Sequence, residues 1–166
     1  MAAGITIRAE KPGEAETIHA LHHAEFKGNA EADLVDEVRE TDETVLSLVA
    51  EENGKIVGHI LFARLTVDGA PNAAALGPIA VDLAHQKQGI GGRLIEEGHK
   101  LLREKGEKLI FVVGDPAYYS RFGFSREAAA KFDTPYNGPY LMSFTLAQGA
   151  PVSGKVVYPA SYAKFG

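Results

Sequence analysis

Residues 76–105, LGPIAVDLAHQKQGIGGRLIEEGHKLLREK, limit the fold more than any other stretch of the chain. Residues 76–81 form an apolar run long enough for a buried strand. A turn holding Gly89, Gly91 and Gly92 follows. Residues 91–105 then carry helical periodicity: Leu94 and Leu101 share one face, as do Ile95 and Leu102. Glu96 and Lys100 form an i,i+4 pair in the favourable order, and Gly106 can close the helix. The spacing therefore predicts strand, glycine-rich turn, helix.

Such a turn suits a diphosphate. Amides of a helix's first turn lack intrahelical partners, the macrodipole adds positive potential, and glycines admit close approach. The expected binding segment is residues 87–92. A P-loop would end in Gly-Lys-Ser/Thr, whereas this turn reads Gly91-Gly92-Arg93. A dinucleotide fingerprint would need glycine at position 94, which is Leu94.

What remains is Gln86-x-x-Gly89-x-Gly91 after a strand. This resembles the pyrophosphate-binding motif of the GNAT superfamily of acetyl-CoA-dependent N-acetyltransferases. A second segment, Gly114-Asp115-Pro116-Ala117-Tyr118-Tyr119 before Phe122-Gly123-Phe124, resembles one in a group of small bacterial N-acetyltransferases. The resemblance covers residues 5–124. It implies acetyl-CoA as co-substrate and no metal. It implies that backbone groups of Ile79, Ala80 and Val81 hold the pantetheine arm and polarise the thioester. It implies that Gln86, Lys87, Gln88, Gly89, Ile90, Gly91, Gly92 and Arg93 surround the diphosphate. Tyr119 falls on the residue that protonates the departing sulfur, and Arg121 on a basic position that can meet the 3′-phosphate. Leu83 stands where many relatives have proline, and Gln88 where many have Arg, Lys or Gly; both departures leave a site made mainly of backbone.

A phenol of pKa about 10 suits that role, because it stays protonated at neutral pH and lies near a thiol's 8.5–9. Tyr118 is assigned to packing, and Arg121 reads equally as a surface charge. For the base that deprotonates the amine, Asp82, Glu25 and His22 are the candidates.

The rest of the chain supplies a scaffold. Ile5–Ala9 alternates as a strand. Residues 14–26 read as a helix with Ile18, Leu21 and Phe26 inward. Its His19, His22 and His23 read as a solvated face. His19 and His23 have metal-ligand spacing, but no third ligand follows at a recognisable distance. Asn29 is placed to cap a second helix, with Leu34, Val35 and Val38 inward. Asn53-Gly54 marks a hairpin between residues 44–52 and 55–67, and His59 reads as a packed residue. Residues 70–74 read as a small insert. Residues 108–113, KLIFVV, form a buried strand completing a parallel βαβ unit. Asp115 and Pro116 are a helix cap and first-turn pair. Beyond Ser125 the chain is loop-rich, with strands expected at 140–146 and 155–158; Tyr136, Tyr140 and Tyr158 there line an acceptor pocket or cover the core.

The expected fold is α/β: a GNAT-like mixed, mostly antiparallel sheet of six or seven strands, a central parallel βαβ unit, and helices on both faces. Residues 1–166 are read as one acetyltransferase domain, with 125–166 its loop-rich C-terminal part. With 45% hydrophobic residues the chain can build a real core. The absence of cysteine excludes disulfides and thiolate chemistry. A net charge of −5 argues against nucleic-acid or anionic-membrane surfaces. No signal peptide or membrane-spanning run is evident, so a cytoplasmic location is expected. The expected reaction is direct transfer of acetyl to a primary amine of a small molecule or peptide. The alternative is an acyl-CoA-binding regulatory module without turnover. The acceptor, the acyl-chain specificity and any homodimer stay open.

Overall fold

The computed structural model describes residues 4–165. Its strands are β1 (Ile5–Ala9), β2 (Thr44–Glu52), β3 (Lys55–Val67), β4 (Ala70–Val81), β5 (Leu109–Val113), β6 (Phe132–Asp133), β7 (Leu141–Thr145) and β8 (Gly154–Val157). Its α-helices are α1 (Ala15–Phe26), α2 (Ala30–Glu40), α3 (Ile90–Glu104), α4 (Pro116–Tyr119) and α5 (Arg126–Ala129). The sheet order is β1-β2-β3-β4-β5-β7, with β8 on β3 and β6 on β8. The expectation of six or seven strands becomes eight among the described residues, because β6 is only two residues long and carries no alternation to read. Pairing is mostly antiparallel; β4 with β5, and the short β6 with β8, are parallel.

The chain divides into two compact units. The first comprises the residues up to Phe62 together with Gly77–Gly98. In it β1 pairs antiparallel with β2, from Ile5↔Glu52 to Ala9↔Leu48. Arg8 on β1 binds Glu14 at 2.6 Å and Glu51 at 2.7 Å, fixing the entry to α1. Side-chain hydrogen bonding to Arg8 draws the Glu14 carboxyl down to about 2. The pair is close to solvent, so its worth is of order 1 kcal/mol or less.

Helix α2 buries Ala32, Leu34, Val35 and Val38, the stripe expected from their spacing. Burying each of its larger side chains stabilises by about 1.5–3 kcal/mol. Asn29 does not cap this helix with its side chain. Its Oδ1 instead meets His23 Nδ1 at 2.8 Å, so a local partner on α1 takes the oxygen the cap would have used. Helix α1 buries Ile18 and His22, whereas Phe26 is 40% exposed. The solvated face expected for its histidines thus holds for His23 but not for His22. In β3 every residue from Ile56 to Ala63 is buried, His59 included.

The second unit comprises Ala63–Leu76 and the residues from His99 onward. Here β4 pairs parallel with β5 through Ala73↔Leu109, Ala74↔Ile110 and Ala75↔Phe111. The expected insert at 70–74 is therefore strand. Alanine and asparagine have little strand preference, and tertiary pairing overrides it. Arg64 supports this stretch by donating to Pro71 O and Ala73 O, while its guanidinium grips both oxygens of Glu107 at 2.7 Å. β5 pairs antiparallel with β7, from Leu109↔Thr145 to Val113↔Leu141. The expected parallel βαβ connection is present.

Candidate acetyl-transfer site

The first unit holds the phosphate-type turn. β4 ends at Val81, and Asp82 N donates to Val57 O at 2.8 Å. A 3-10 turn over Leu83–His85 leads into Gln86–Gly89, all four exposed. Lys87 has φ 66 and Gly89 φ 81. Left-handed residues of this kind recur in the backbone concavities that bind anions. Glycine meets the requirement at 89 without strain. The first backbone bond of α3 runs from Arg93 N to Gly89 O at 3.1 Å. The amides of Ile90, Gly91 and Gly92 precede it and belong to the helix's partner-poor first turn.

Side chains hold this turn from behind. Gln86 Nε2 donates to Val81 O at 3.0 Å and to the Glu25 carboxylate on α1. Its side chain therefore straps the turn to β4 and α1. His85 lies between two carboxylates, with Nδ1 2.8 Å from Asp82 and Nε2 2.8 Å from Glu52. Hydrogen bonding to Glu52 first, then to Asp82, raises the His85 pKa. Arg93, in the first turn of α3, sends a guanidinium N–H to Ile5 O at 3.0 Å and keeps its positive charge beside that of Lys87. Ile79 and Val81 are half-buried and Ala80 buried.

Of the three base candidates, Glu25 and Asp82 are thus committed to holding the turn. His22 differs. It is fully buried; its Nε2 lies 2.8 Å from His59 Nδ1, and its Nδ1 has no hydrogen-bond partner. Burial pulls its pKa down to about 4.

The second unit holds Tyr119. Asp115 caps α4 by accepting from Ala117 N at 3.0 Å, and Pro116 occupies the first turn, as the sequence predicts. The Tyr119 ring lies edge-on to Tyr118 at 5.0 Å and to Phe124 at 5.9 Å. Gly114 makes room for it: a Cβ there would sit 2.5 Å from Tyr119 Cε2. Gly114 opens the Gly-Asp-Pro segment in the sequence, but nothing there signals its contact with the Tyr119 ring. Burial raises the Tyr119 pKa to about 12. Arg121 lies 5.3 Å from the Tyr118 ring centroid and 5.6 Å from that of Phe122, so aromatic faces set its position. Tyr118 packs, as expected. In the tail, Tyr136 donates from its hydroxyl to Tyr162 O at 2.6 Å and its ring lies edge-on to Tyr158, whereas Tyr140 is exposed.

Residues 15–124 match the acetyltransferase (GNAT) family. The chain belongs to that family. Among GNAT relatives, the uncharacterized N-acetyltransferase YhbS of Escherichia coli K12 is 40% identical over 129 residues, 76% of either chain. YjhQ of the same organism is 36% identical over 163 residues, 91% of this chain and 90% of its own. The crystal structure of E. coli YhbS in complex with CoA matches with a TM-score of 0.92 at 34% identity, covering 100% of this chain and 96% of that one. A GNAT acetyltransferase from Brucella melitensis in complex with acetyl-CoA matches at 0.82 and 35% identity, covering 95% and 97%. No helix among the described residues is long and apolar enough to cross a membrane.

Proposed function

We propose that this GNAT chain works as a single acetyltransferase domain, moving an acetyl group from acetyl-CoA to a primary amine by direct attack. The observation that carries the reading is the exposed turn Gln86–Gly89, left-handed at Lys87 and Gly89 and opening α3. CoA in the crystal structure of E. coli YhbS and acetyl-CoA in that of the Brucella melitensis acetyltransferase support the same donor here.

In this reading the amides of residues 87–92 take the diphosphate, and Lys87 adds charge. Backbone groups of Ile79, Ala80 and Val81 hold the pantetheine arm and lean on the thioester oxygen as it becomes an oxyanion. Arg121, already seated on aromatic rings, meets the 3′-phosphate. Tyr119 protonates the sulfur.

The raised Tyr119 pKa tests that last role by magnitude. A phenol near 12 giving its proton to a thiolate near 8.5–9 works uphill by about 3 units, or about 4 kcal/mol. An enzyme turning over at 1–1,000 per second crosses a barrier of roughly 13–17 kcal/mol, so the cost fits within it. Burial also keeps the phenol protonated at neutral pH.

The experiment is an acetyl-CoA consumption screen against amino acids, polyamines, aminoglycosides and peptide N-termini, with CoA binding measured by calorimetry. Tyr119→Phe should lower transfer roughly 100-fold or more while CoA affinity stays within about two-fold. Binding of CoA with no transfer across the panel would instead mark an acyl-CoA-binding module.

A further inference from the structure

A chain of hydrogen bonds runs inward from the half-buried Arg39 and Glu10 and ends on the buried His22. Arg39 grips Glu10 at 2.8 and 3.0 Å; Ser47 Oγ lies 2.6 Å from Glu10 Oε1; His59 Nε2 lies 2.7 Å from Ser47 Oγ; His22 Nε2 lies 2.8 Å from His59 Nδ1. The proton on each link follows from what each group can do. A carboxylate only accepts, so the Ser47 hydroxyl donates to Glu10. Ser47 Oγ then accepts from His59 Nε2–H. A neutral imidazole has one N–H, so His59 Nδ1 is an acceptor and takes the proton of His22 Nε2. His22 is thereby fixed with a bare lone pair on Nδ1. That atom is buried and without a partner. An unpaired buried acceptor is destabilising, and a ligand's N–H would relieve that cost.

The place suits the reaction. His22 lies one helical turn before Glu25, whose carboxylate holds Gln86 of the phosphate turn. His59 lies two residues from Val57, whose carbonyl takes Asp82 N at the end of β4. Phe26, parallel to the His22 ring and 40% exposed, shields it from bulk water at the last turn of α1. Titratable and charged groups around the pair are His19 on α1, Asp36 and Arg39 on α2, and Glu10 after β1.

Resting on the acetyl-transfer reading, we propose that His22 Nδ1 receives the acceptor's nitrogen and is its general base, with His59, Ser47 and Glu10 as positioning residues. The amine lone pair forms the N–C bond and the carbonyl π pair moves to oxygen. The nitrogen, now cationic, is more acidic than a free ammonium. Its N–H breaks, the electron pair stays on nitrogen, and the proton joins Nδ1. His59 Nδ1 steadies the resulting imidazolium by accepting from its Nε2–H. The oxyanion's pair then reforms the carbonyl as the C–S bond breaks, and the C–S electron pair leaves on sulfur, where the Tyr119 proton joins it. After product departs, His22 returns the proton to water, which its low basicity favours at neutral pH.

Three readouts on the full chain test this. In the 15N-labelled wild type near pH 7.5, His22 should show an unprotonated Nδ1 and a protonated Nε2; the opposite tautomer overturns the proposal. His22→Ala should lower kcat roughly 100-fold or more with CoA affinity within about two-fold, and exogenous imidazole should restore part of it. Pyrrole, of the same shape without an acceptor nitrogen, should not; rescue by both would reduce His22 to a filler of space and overturn the base role. Ser47→Ala should lower kcat about 10-fold and mix the His22 tautomers, whereas an unchanged tautomer would overturn the positioning chain. Wild-type transfer that survives His22→Ala overturns this inference alone; wild type without transfer to any amine overturns it together with the reading beneath it.

Discussion

The two units hold their proton-bearing groups by opposite means. In the first, His22 is held by hydrogen bonds: His59, Ser47, Glu10 and Arg39 stand in line, each 2.6–3.0 Å from the next. In the second, Tyr119 is held by rings. His99 stacks on Phe144 at 4.4 Å and meets Phe124 edge-on at 5.4 Å, and Phe124 meets Tyr119. Both arrangements bury an imidazole, yet they use it differently. His59 is a link whose two nitrogens are both engaged. His99 has an Nε2 without a partner and serves as a flat apolar body. Hydrogen bonds fix where a proton sits, whereas ring packing fixes only where a side chain sits.

That contrast predicts unequal costs for the same substitution. His59→Phe should destabilise by about 1–3 kcal/mol, since it leaves the buried His22 Nε2–H without a partner while Ser47 Oγ keeps its bond to Glu10. His99→Phe should stay within about 1 kcal/mol at neutral pH, as a ring of similar volume replaces one with an unpaired nitrogen. Urea denaturation at pH 7.5 measures both, and equal costs would break the contrast.

Acid sharpens it next. Burial, with Arg103 adding, lowers the His99 pKa to about 4. An unfolded histidine titrates near 6.5, so between 6.5 and 4 the unfolded chain binds a proton that the folded chain refuses. The stabilisation is complete above 6.5 and is lost as pH falls toward 4, up to roughly 3 kcal/mol for this residue. His99→Phe should flatten that part of the stability–pH curve. The fall from His22 should remain, which a pH series of urea midpoints resolves.

A smaller effect concerns the aromatic side alone. Gly114→Ala sets a methyl against the Tyr119 ring and should cost roughly 1–3 kcal/mol. It should also lower transfer with CoA affinity kept, because the phenol is displaced. Smallest is Glu14→Gln, which weakens the half-buried Arg8 pair and the bond from Lys11 N and should cost about 1 kcal/mol, leaving both proton-bearing groups untouched in a thermal melt.

Local chemistry made much of this readable in the sequence. Asn53-Gly54 and Asp68-Gly69 both adopt the positive φ that a tight hairpin requires, and β2 and β3 begin and end where expected. Asp115-Pro116 announces α4 for the same kind of reason: the cap lies two residues from its amide. What escaped depends on distant partners. Nothing near His22 signals that His59, 37 residues away, will take its Nε2 proton. Nothing in Ala73-Ala74-Ala75 signals a parallel ladder with Leu109–Phe111, and nothing in Gly114 signals the ring five residues on. The turn at 86–89 was legible as backbone geometry, but the use of Gln86 as a strap was not, since Glu25 is 61 residues away.

That strap has a mechanical result. One amide group joins the floor of the turn, through Glu25, to the end of α1. A ligand that shifts the turn must therefore either drag the last coil of that helix along or snap the bond.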